Sequence, residues 1–199
     1  MKEAGGQEPP VVNVVGERVA LGPLRRDLLP DYHRWVNDLA TASRVGMPPE
    51  PWTLERETAW YDQAATDATV FTIYERAGWR AIGTCALTQV DHRHGTAGIV
   101  VHIGEPRDHG RGYGTEAVRL LLDYAFTALG LHNVLLQVDE TNPAARRAYE
   151  KAGFKEIGRR RQAVRGARGR TNEIYMDCLA TEFDSPVLRR GFEPDEPRA

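Results

Sequence analysis

Two short segments of this sequence combine residue types and spacings that could do chemistry. Residues 109–115 carry three alternating glycines and lead directly into a stretch with helical periodicity. A second segment begins at Asn142, 27 residues after Thr115, and places Tyr149 two helical turns further on. Positions seven apart lie on one side of a helix, so Asn142 and Tyr149 are expected to face the same way. The first segment has the composition of an anion-binding turn, and the second offers an amide and a phenol on one helix face.

The glycine-rich segment lies between a predicted strand that ends near Gly104 and a predicted helix that begins near Thr115. At the start of a helix, several backbone N–H groups have no partner within the helix and lie at the positive end of its dipole, which favours phosphate groups. Glycines at 110, 112 and 114 let the backbone approach an anion closely, where a Cβ would obstruct contact. An ordinary flexible turn is the alternative for this segment taken alone.

Two familiar phosphate-binding motifs do not fit this turn. A P-loop ends in Gly-Lys followed by Ser or Thr, and that ending does not occur here. A dinucleotide-binding fingerprint needs a third glycine where Thr115 stands, within a parallel β-α-β unit at the start of the chain. The turn is therefore assigned to neither class.

The elements that must position these segments follow from hydrophobic periodicity and from turn residues. Helices are predicted at Leu28 to Asn37, from an N-cap at Thr53 to about Ala65, at Thr115 to Leu129 and at Pro143 to Ala152. Strands are predicted at Arg18 to Leu24, Thr69 to Glu75, Arg80 to Val90, Thr96 to Gly104, Val134 to Val138, Phe154 to Val164 and Thr171 to Leu179. This order, β-α-α-β-β-β-α-β-α-β-β, predicts an α/β fold built on a mixed sheet.

Length and composition bound the class of protein. The 199 residues are expected to form one domain at 13–183, between a mobile N-terminal segment at 1–12 and a mobile, proline-containing tail at 184–199. A formal net charge of −2 gives no general attraction to nucleic acid or to an anionic membrane. Cys85 and Cys178 lack metal-ligand spacing and are expected to be buried thiols. With neither a signal-peptide pattern nor a run of 18 apolar residues, a cytoplasmic location is expected.

Taken together, residues 110–117 and the block from Asn142 to Phe154 resemble the Gcn5-related N-acetyltransferase (GNAT) superfamily. The similarity spans roughly residues 17–180 and is greatest to the branch of ribosomal-protein N-terminal acetyltransferases (RimJ/RimL-like) and spermidine acetyltransferases. It implies an acetyl-coenzyme A-dependent N-acetyltransferase. The GNAT fold that it implies has a mixed, mostly antiparallel sheet of about seven strands, splayed between strands four and five, and about four helices.

The resemblance also implies a binding site for coenzyme A in the splay. Amides of the glycine turn would bind the pyrophosphate, and an amide of strand four would polarise the thioester carbonyl. Asn142 matches the residue that binds the pantetheine arm, and Tyr149 matches the tyrosine that would donate a proton to the departing thiolate. His109 stands where the family carries Arg or Gln. The residues implied to bind coenzyme A are Val101, His102, Ile103, His109, Gly110, Arg111, Gly112, Tyr113, Gly114, Thr115, Asn142, Ala144 and Tyr149.

The implied reaction is direct attack of an amine on acetyl-coenzyme A in a ternary complex. An amine with a pKa near 10.4 costs roughly 4–5 kcal/mol to deprotonate at pH 7, whereas an α-amine costs only about 1–1.4 kcal/mol. The more basic amine therefore needs a general base or a lowered pKa. His102, Glu105, Asp139 and Glu140 are the candidates near the expected cleft, and the assignment stays open. For His102, a packed histidine is the alternative.

The acceptor is left open between a protein N-terminus, a polyamine and a small-molecule amine such as an antibiotic. The loops at Asn37 to Trp52 and Arg165 to Arg170 are expected to select it, because recognition commonly lies on loops held by a rigid scaffold. Asp38 and Glu50 could attract a cation there, although solvated loop charges are equally consistent. A homodimer is left open as well, and neither DNA nor a membrane is expected as a partner.

Two further clusters and one rival function complete the sequence-based expectations. The arginines at 159, 160, 161, 165, 168 and 170 could approach RNA or an acidic protein, but a solvated hairpin is favoured. The histidines at 92 and 94 are too sparse for a metal site, so no metal is predicted. The rival function is a non-catalytic acyl-coenzyme A-binding module that regulates a partner, suggested by His109 and by the lack of an obvious base.

Overall fold

The computed structural model describes residues 9–42, 46–47, 50–67, 69–166 and 169–192. Its strands are β1 (Val14–Val15), β2 (Val19–Pro23), β3 (Thr69–Glu75), β4 (Ala81–Asp91), β5 (Thr96–Ile103), β6 (Asn133–Asp139), β7 (Lys155–Gly166) and β8 (Gly169–Leu179). Its α-helices are α1 (Leu29–Asn37), α2 (Leu39–Ala42), α3 (Leu54–Asp67), α4 (Tyr113–Asp123), α5 (Pro143–Ala152) and α6 (Arg189–Phe192). The predicted α/β fold is confirmed, and the short β1, α2 and α6 are additions to the predicted elements.

The strands form one sheet in the order β1-β2-β3-β4-β5-β6-β8-β7. All neighbouring pairs are antiparallel except β5 and β6, which are parallel. The two parallel strands pair only from Thr96 to Gly98 on β5 and from Asn133 to Leu135 on β6, and then diverge. Because β1 was not predicted, β5 and β6 are the predicted strands four and five, and the predicted splay between them is confirmed.

Helix α4 covers one face of the sheet and carries the larger core. Ala117, Leu121 and Ala125 recur every four residues, as the helical period requires, and are completely buried. They pack with Ile99 and Val134 from the two diverging strands. A π-helical turn at Tyr124–Ala128 continues the helix to its end. The start of α4 is thereby held against the open end of the splay.

Helices α1 and α3 cover the opposite face. Tyr32 on α1 forms a hydrogen bond with Thr72 on β3 and packs against Trp35 and Trp60 with ring centroids 5.7 and 6.3 Å apart. Trp35 in turn lies on the backbone at Gly104, where a Cβ would overlap the indole ring. Glycine at 104 therefore lets α1 approach the end of β5 closely.

Residues beyond the predicted C-terminal boundary at 183 pack on the domain. The carboxylate of Asp123 is completely buried at the end of α4. It accepts hydrogen bonds from Ser185 Oγ and from the backbone N–H groups of Val187 and Leu188. The Ser-Pro sequence at 185–186 favours a mobile tail, whereas in the structure the Asp123 carboxylate binds Ser185. Residues 1–8 and 193–199 of the predicted mobile ends lie outside the described residues.

Candidate functional site

The glycine turn ends at the N-terminus of α4, as predicted. Gly110 and Gly112 have φ values of +72° and +83°, a region that side chains with a Cβ rarely adopt. Gly112 is the N-cap and offers no side-chain cap, and the first intrahelical bond runs from Glu116 N–H to Gly112 O at 3.1 Å. The N–H groups of residues 113–115 therefore have no intrahelical partner. This is the arrangement that binds a phosphate group.

An ion pair between the partly exposed Arg80 and the fully buried Asp108 supports this turn. Arg80 at the start of β4 donates two hydrogen bonds to Asp108, at 2.8 and 2.9 Å, and the Asp108 side chain has no solvent exposure. The Arg80 guanidinium holds the pKa of Asp108 below its usual range. Arg80 also contacts Glu75 at 3.2 Å, and Glu75 accepts a hydrogen bond from the Tyr113 hydroxyl group. The network joins two strands to both ends of the turn and fixes its shape.

His109 has a structural contact of its own. Its Nε2–H donates to the backbone oxygen of Ile103 at 2.9 Å, so the side chain ties the turn to the last residue of β5. Arg18 reinforces the turn from β2, since its guanidinium donates to Arg111 O at 3.2 Å and its backbone N–H donates to Glu116 Oε1 at 2.9 Å. The substitution of His for Arg or Gln at 109 therefore leaves the turn anchored.

The diverging strands β5 and β6 enclose a cavity of about 430 Å³. Gly104 N–H donates to Ile82 O at 2.9 Å, which sets the phase of the β4–β5 ladder. In that phase His102 exchanges its backbone hydrogen bonds with Thr84, while the N–H groups of Val101 and Ile103 point away from β4 towards the cleft. Val101 and Ile103 thus remain as candidates for the amide that polarises a carbonyl, and His102 does not.

Asn142 and Tyr149 lie on α5 beside this cavity. Asn142 Oδ1 caps the helix by accepting from Ala145 N–H at 3.1 Å, and Ala144 is exposed in the first turn. Tyr149 lines the cavity and packs edge-on against Phe154, with ring centroids 5.9 Å apart. Burial raises the pKa of Tyr149, which keeps the phenol protonated at neutral pH. A partly buried phenol that retains its proton is suited to act as an acid.

A second and larger cavity, of about 790 Å³, lies on the α1 and α3 side of the sheet. We call it the aromatic pocket, because its walls include Tyr32, Trp35, Trp52 and Trp60. It shares Thr88, Gln89 and Val100 with the cavity between β5 and β6. At Gln89 the backbone has φ of +48°, and the β4–β5 register shifts between Thr88 and Asp91. The two cavities therefore meet at an irregular stretch of β4.

Glu57 is the functional candidate that sequence reasoning missed. It lies in the first turn of α3, lines the aromatic pocket and is 4% exposed. Its backbone N–H bonds to Thr53 O, but its carboxylate has no hydrogen bond or ion pair to any residue that the structure describes. Burial raises its pKa to about 6. In the sequence it reads as an ordinary first-turn acid, and only the docking of α3 against α1 distinguishes it.

The four candidates for a general base are distributed unfavourably. His102 is a packed histidine, 7% exposed, with Nε2 buried and unpaired within the described ranges, and burial lowers its pKa to about 4. Glu105 is paired with Arg34 on α1 at 2.9 Å, outside both cavities. Asp139 lines the β5–β6 cavity but accepts from Thr141 and Thr171 side chains, and Glu140 accepts two hydrogen bonds from Asn172. The packed alternative for His102 is the one that the geometry supports.

The loop charges are largely used within the fold. Asp38 accepts hydrogen bonds from Ala40 and Thr41, and Glu50 pairs with Arg56 at 3.2 Å. In the predicted arginine cluster, Arg159 pairs with Glu156 at 3.4 Å, whereas Arg168 lies outside the described residues.

The described ranges contain neither a metal-ligand cluster nor a membrane-spanning helix. They contain no cluster of three metal-ligating side chains that could hold an ion. They also contain no helix with the length and apolar character needed to cross a membrane.

Comparison with known proteins agrees with this geometry. A family model described as acetyltransferase (GNAT) domain matches residues 18–155. Human alpha/beta-tubulin-N-acetyltransferase 9 is 31% identical over 160 residues, covering 72% of this chain and 75% of that protein. Spermidine N(1)-acetyltransferase of Escherichia coli K12 is 31% identical over 141 residues, covering 70% and 74%.

A solved structure is similar as well. Spermidine N-acetyltransferase from Vibrio cholerae, in complex with CoA and spermine, matches with a TM-score of 0.75 and 26% identity over 83% of this chain and 97% of that chain. In this chain Tyr149 lines the cavity between the splayed strands, and the glycine turn leads into the N-terminus of α4. The chain belongs to the GNAT acetyltransferases and is an N-acetyltransferase that uses acetyl-coenzyme A to acetylate an amine.

Proposed function

We propose that this protein acetylates a primary amine held in the aromatic pocket while acetyl-coenzyme A occupies the cleft between β5 and β6. One observation carries the proposal: the two cavities share Thr88, Gln89 and Val100. An amine on one side and a thioester on the other would meet there without a covalent enzyme intermediate. Cys85 lines the aromatic pocket, but burial raises the pKa of its thiol well above the usual range, which disfavours the nucleophilic thiolate.

Each element of the site has a proposed role. The N–H groups of Tyr113, Gly114 and Thr115 that lack an intrahelical partner bind the pyrophosphate, and Asn142 and Ala144, at the start of α5, contact the pantetheine arm. When bound, acetyl-coenzyme A supplies an activated acetyl group. The N–H of Val101 or Ile103 stabilises negative charge on the acetyl oxygen. The amine first loses its ammonium proton to solvent and then attacks the acetyl carbonyl carbon, so that the C–N bond forms as the C–S bond breaks. Tyr149 donates the proton of its phenol oxygen to the leaving sulfur, and the second proton lost by the nitrogen passes through water and restores the phenol.

The relatives support two kinds of acceptor. One relative is named a tubulin N-acetyltransferase and others are named spermidine N-acetyltransferases. The relatives' names therefore point to a protein N-terminus, as in the predicted RimJ/RimL-like branch, or to a polyamine, and both classes belong in the test. The cytoplasmic location and the homodimer stay predictions, the latter to be measured by light scattering on the purified chain.

A screen of amines with detection of the free thiol tests this function. The panel contains polyamines, short peptides, aryl-alkyl amines and aminoglycosides, each at saturating acetyl-coenzyme A. We expect thiol release with at least one primary amine, and acetyl-coenzyme A binding by calorimetry without any amine. Binding with no turnover across the panel would instead favour the non-catalytic module.

Tyr149→Phe tests the proposed acid. The variant should lower kcat by about 10²-fold or more while acetyl-coenzyme A affinity changes little, because it removes one proton donor and almost no contact area. Unchanged kcat would reject the acid role.

A further inference from the structure

We propose that Glu57 binds the ammonium group of the acceptor, and that the aromatic pocket selects primary monoamines with an apolar or aromatic body over polyamines. This inference rests on the proposed function, since it concerns the acceptor side of the same site. Glu57 is almost completely buried, yet its carboxylate lines the pocket and has no partner among the residues that the structure describes. A buried and unpaired carboxylate is costly unless a ligand completes it.

Among the described residues that line the pocket, Glu57 is the only acid, and none is lysine or arginine. One carboxylate matches one positive charge. A polyamine carries two or more charges and would leave the others without a counter-ion in the pocket.

Carboxylates close to the pocket are already engaged. Asp38 bonds with Thr41, and Glu50 pairs with Arg56, whose guanidinium stacks 3.6 Å from the ring centre of Trp52. On the cofactor side, Asp139 accepts a hydrogen bond from Thr171, and Glu173 lies 3.7 Å from Arg160 while its Oε2 is buried without a hydrogen-bond partner among the described residues. Asp38, Glu50 and Asp139 therefore offer no free second site for a cation at the far end of a polyamine, and Glu173 lines the cavity between β5 and β6.

The walls around Glu57 are suited to an apolar body. Trp52, Trp60 and Tyr32 come from the loop before α3, from α3 itself and from α1, and all three line the same pocket. Aromatic faces attract a cation and also cover apolar carbon without a desolvation penalty. Val36, Met47 and Val70 continue the apolar wall. An amine held by Glu57 would therefore extend its carbon skeleton over aromatic and aliphatic surface.

The groups facing Glu57 do not replace a ligand. The electrostatic effect of His33 on α1 favours the ionised form of Glu57. The His33 ring is already engaged, because its Nε2–H donates to Trp52 O at 2.7 Å. His102 on β5 and His92 after β4 line the same pocket, and the pKa of His102 is lowered to about 4, so that ring is neutral. The substrate ammonium group is thus the counter-charge that Glu57 lacks among the residues that the structure describes.

Two sources share this ligand chemistry, an aryl-alkyl amine and a peptide whose first residue has a large apolar side chain. The test compares 2-phenylethylamine, a tripeptide that begins with phenylalanine, and spermidine, in the thiol-release assay on the full chain. We expect kcat/KM for at least one of the first two to exceed that for spermidine by about 10-fold or more, a preference of the size that one buried charge pair supports. The more active of the two identifies the source. A tenfold preference for spermidine would overturn the inference.

The variants Glu57→Gln and Glu57→Asp test the residue itself. Glu57→Gln should lower kcat/KM for the preferred monoamine by about 30-fold or more, while Glu57→Asp, which keeps the charge, should recover part of it. Glu55→Gln is the matched control, because Glu55 lies in the same first turn of α3 as Glu57 but is exposed to solvent. The kcat/KM of this variant should equal that of the wild type.

The two levels of the proposal fail in different ways. If wild-type protein acetylates the monoamine and Glu57→Gln does so equally well, the inference fails and the acetyltransferase function stands. If wild-type protein binds acetyl-coenzyme A but acetylates no amine, the proposed function fails and the inference fails with it. Thermal unfolding and acetyl-coenzyme A affinity of Glu57→Gln should equal or exceed those of the wild type, which separates loss of recognition from loss of folding.

Discussion

Glu57→Gln should stabilise the fold at high pH and leave it nearly unchanged at low pH. Burial raises the pKa of Glu57 from an ordinary 4.5 to about 6. A shift of about 1.5 units corresponds to roughly 2 kcal/mol of free energy of unfolding, at 1.36 kcal/mol per unit. The wild type gives up that stability to keep an ionised carboxylate in an aromatic pocket, and glutamine removes the charge with little change of shape.

The sign follows from the direction of the pKa change. The folded state holds the Glu57 proton more tightly than the unfolded state does. Its contribution to stability is therefore fully present below pH 4.5 and is lost as the pH rises through about 6. His102 works in the opposite direction, since its lowered pKa costs stability as the pH falls from 6.5 towards 4. That cost is shared by both proteins and cancels in the difference between them.

Urea unfolding of the two proteins at pH 4.5, 6 and 8, with Glu55→Gln as a control, measures this difference. The gain from Glu57→Gln should approach about 2 kcal/mol at pH 8 and fall towards zero at the lowest pH. Glu55→Gln should stay within about 0.5 kcal/mol throughout, as an exposed substitution does. A gain that does not depend on pH, or a loss at pH 8, would refute the buried and unpaired state of Glu57.

Three other substitutions test the parts that hold the site. Gly112→Ala should weaken acetyl-coenzyme A binding, measured by calorimetry, about 10-fold or more. The reason is that φ at Gly112 is +83° and the new Cβ would lie 3.0 Å from Arg18 Nη1. A loss of affinity no larger than that of Gly114→Ala would contradict a special role for Gly112. Asp108→Asn should cost about 2 kcal/mol in urea unfolding, since it removes the charge of the fully buried partner of Arg80 and leaves the guanidinium paired only with Glu75; a neutral result would show that the pair does not shape the turn. Asp123→Ala should speed amide hydrogen exchange at 187–188 by about 10-fold or more, and unchanged exchange would exclude the proposed docking of that segment.

Local signals made parts of this structure predictable from sequence. Helix α5 begins and ends where it was predicted, because Asn142 caps it, Pro143 suits its first position and Gly153 adopts φ of +113° at its end. The turn before α4 was predictable for the same reason, because Gly112 has a positive φ and glycine is the residue that adopts this conformation most readily. Such features depend on residues within one turn of each other.

Features that depend on distant partners were not predictable in this way. Arg80 and Asp108 are 28 positions apart, and each alone reads as a solvated charge. Asp123 and Ser185 are 62 positions apart, so the proline after Ser185 suggested a mobile tail. Glu57 is buried only because α3 packs on α1 above the sheet. In each case tertiary packing, and not local pattern, decides whether a charge is exposed.

Initial-rate kinetics with both substrates varied tests the central claim most directly. If the acceptor in the aromatic pocket and acetyl-coenzyme A in the β5–β6 cleft meet at Thr88, Gln89 and Val100, both must be bound before chemistry begins. Double-reciprocal plots of thiol release are then expected to intersect. Parallel lines, the pattern of a covalent acetyl-enzyme, would contradict the claim.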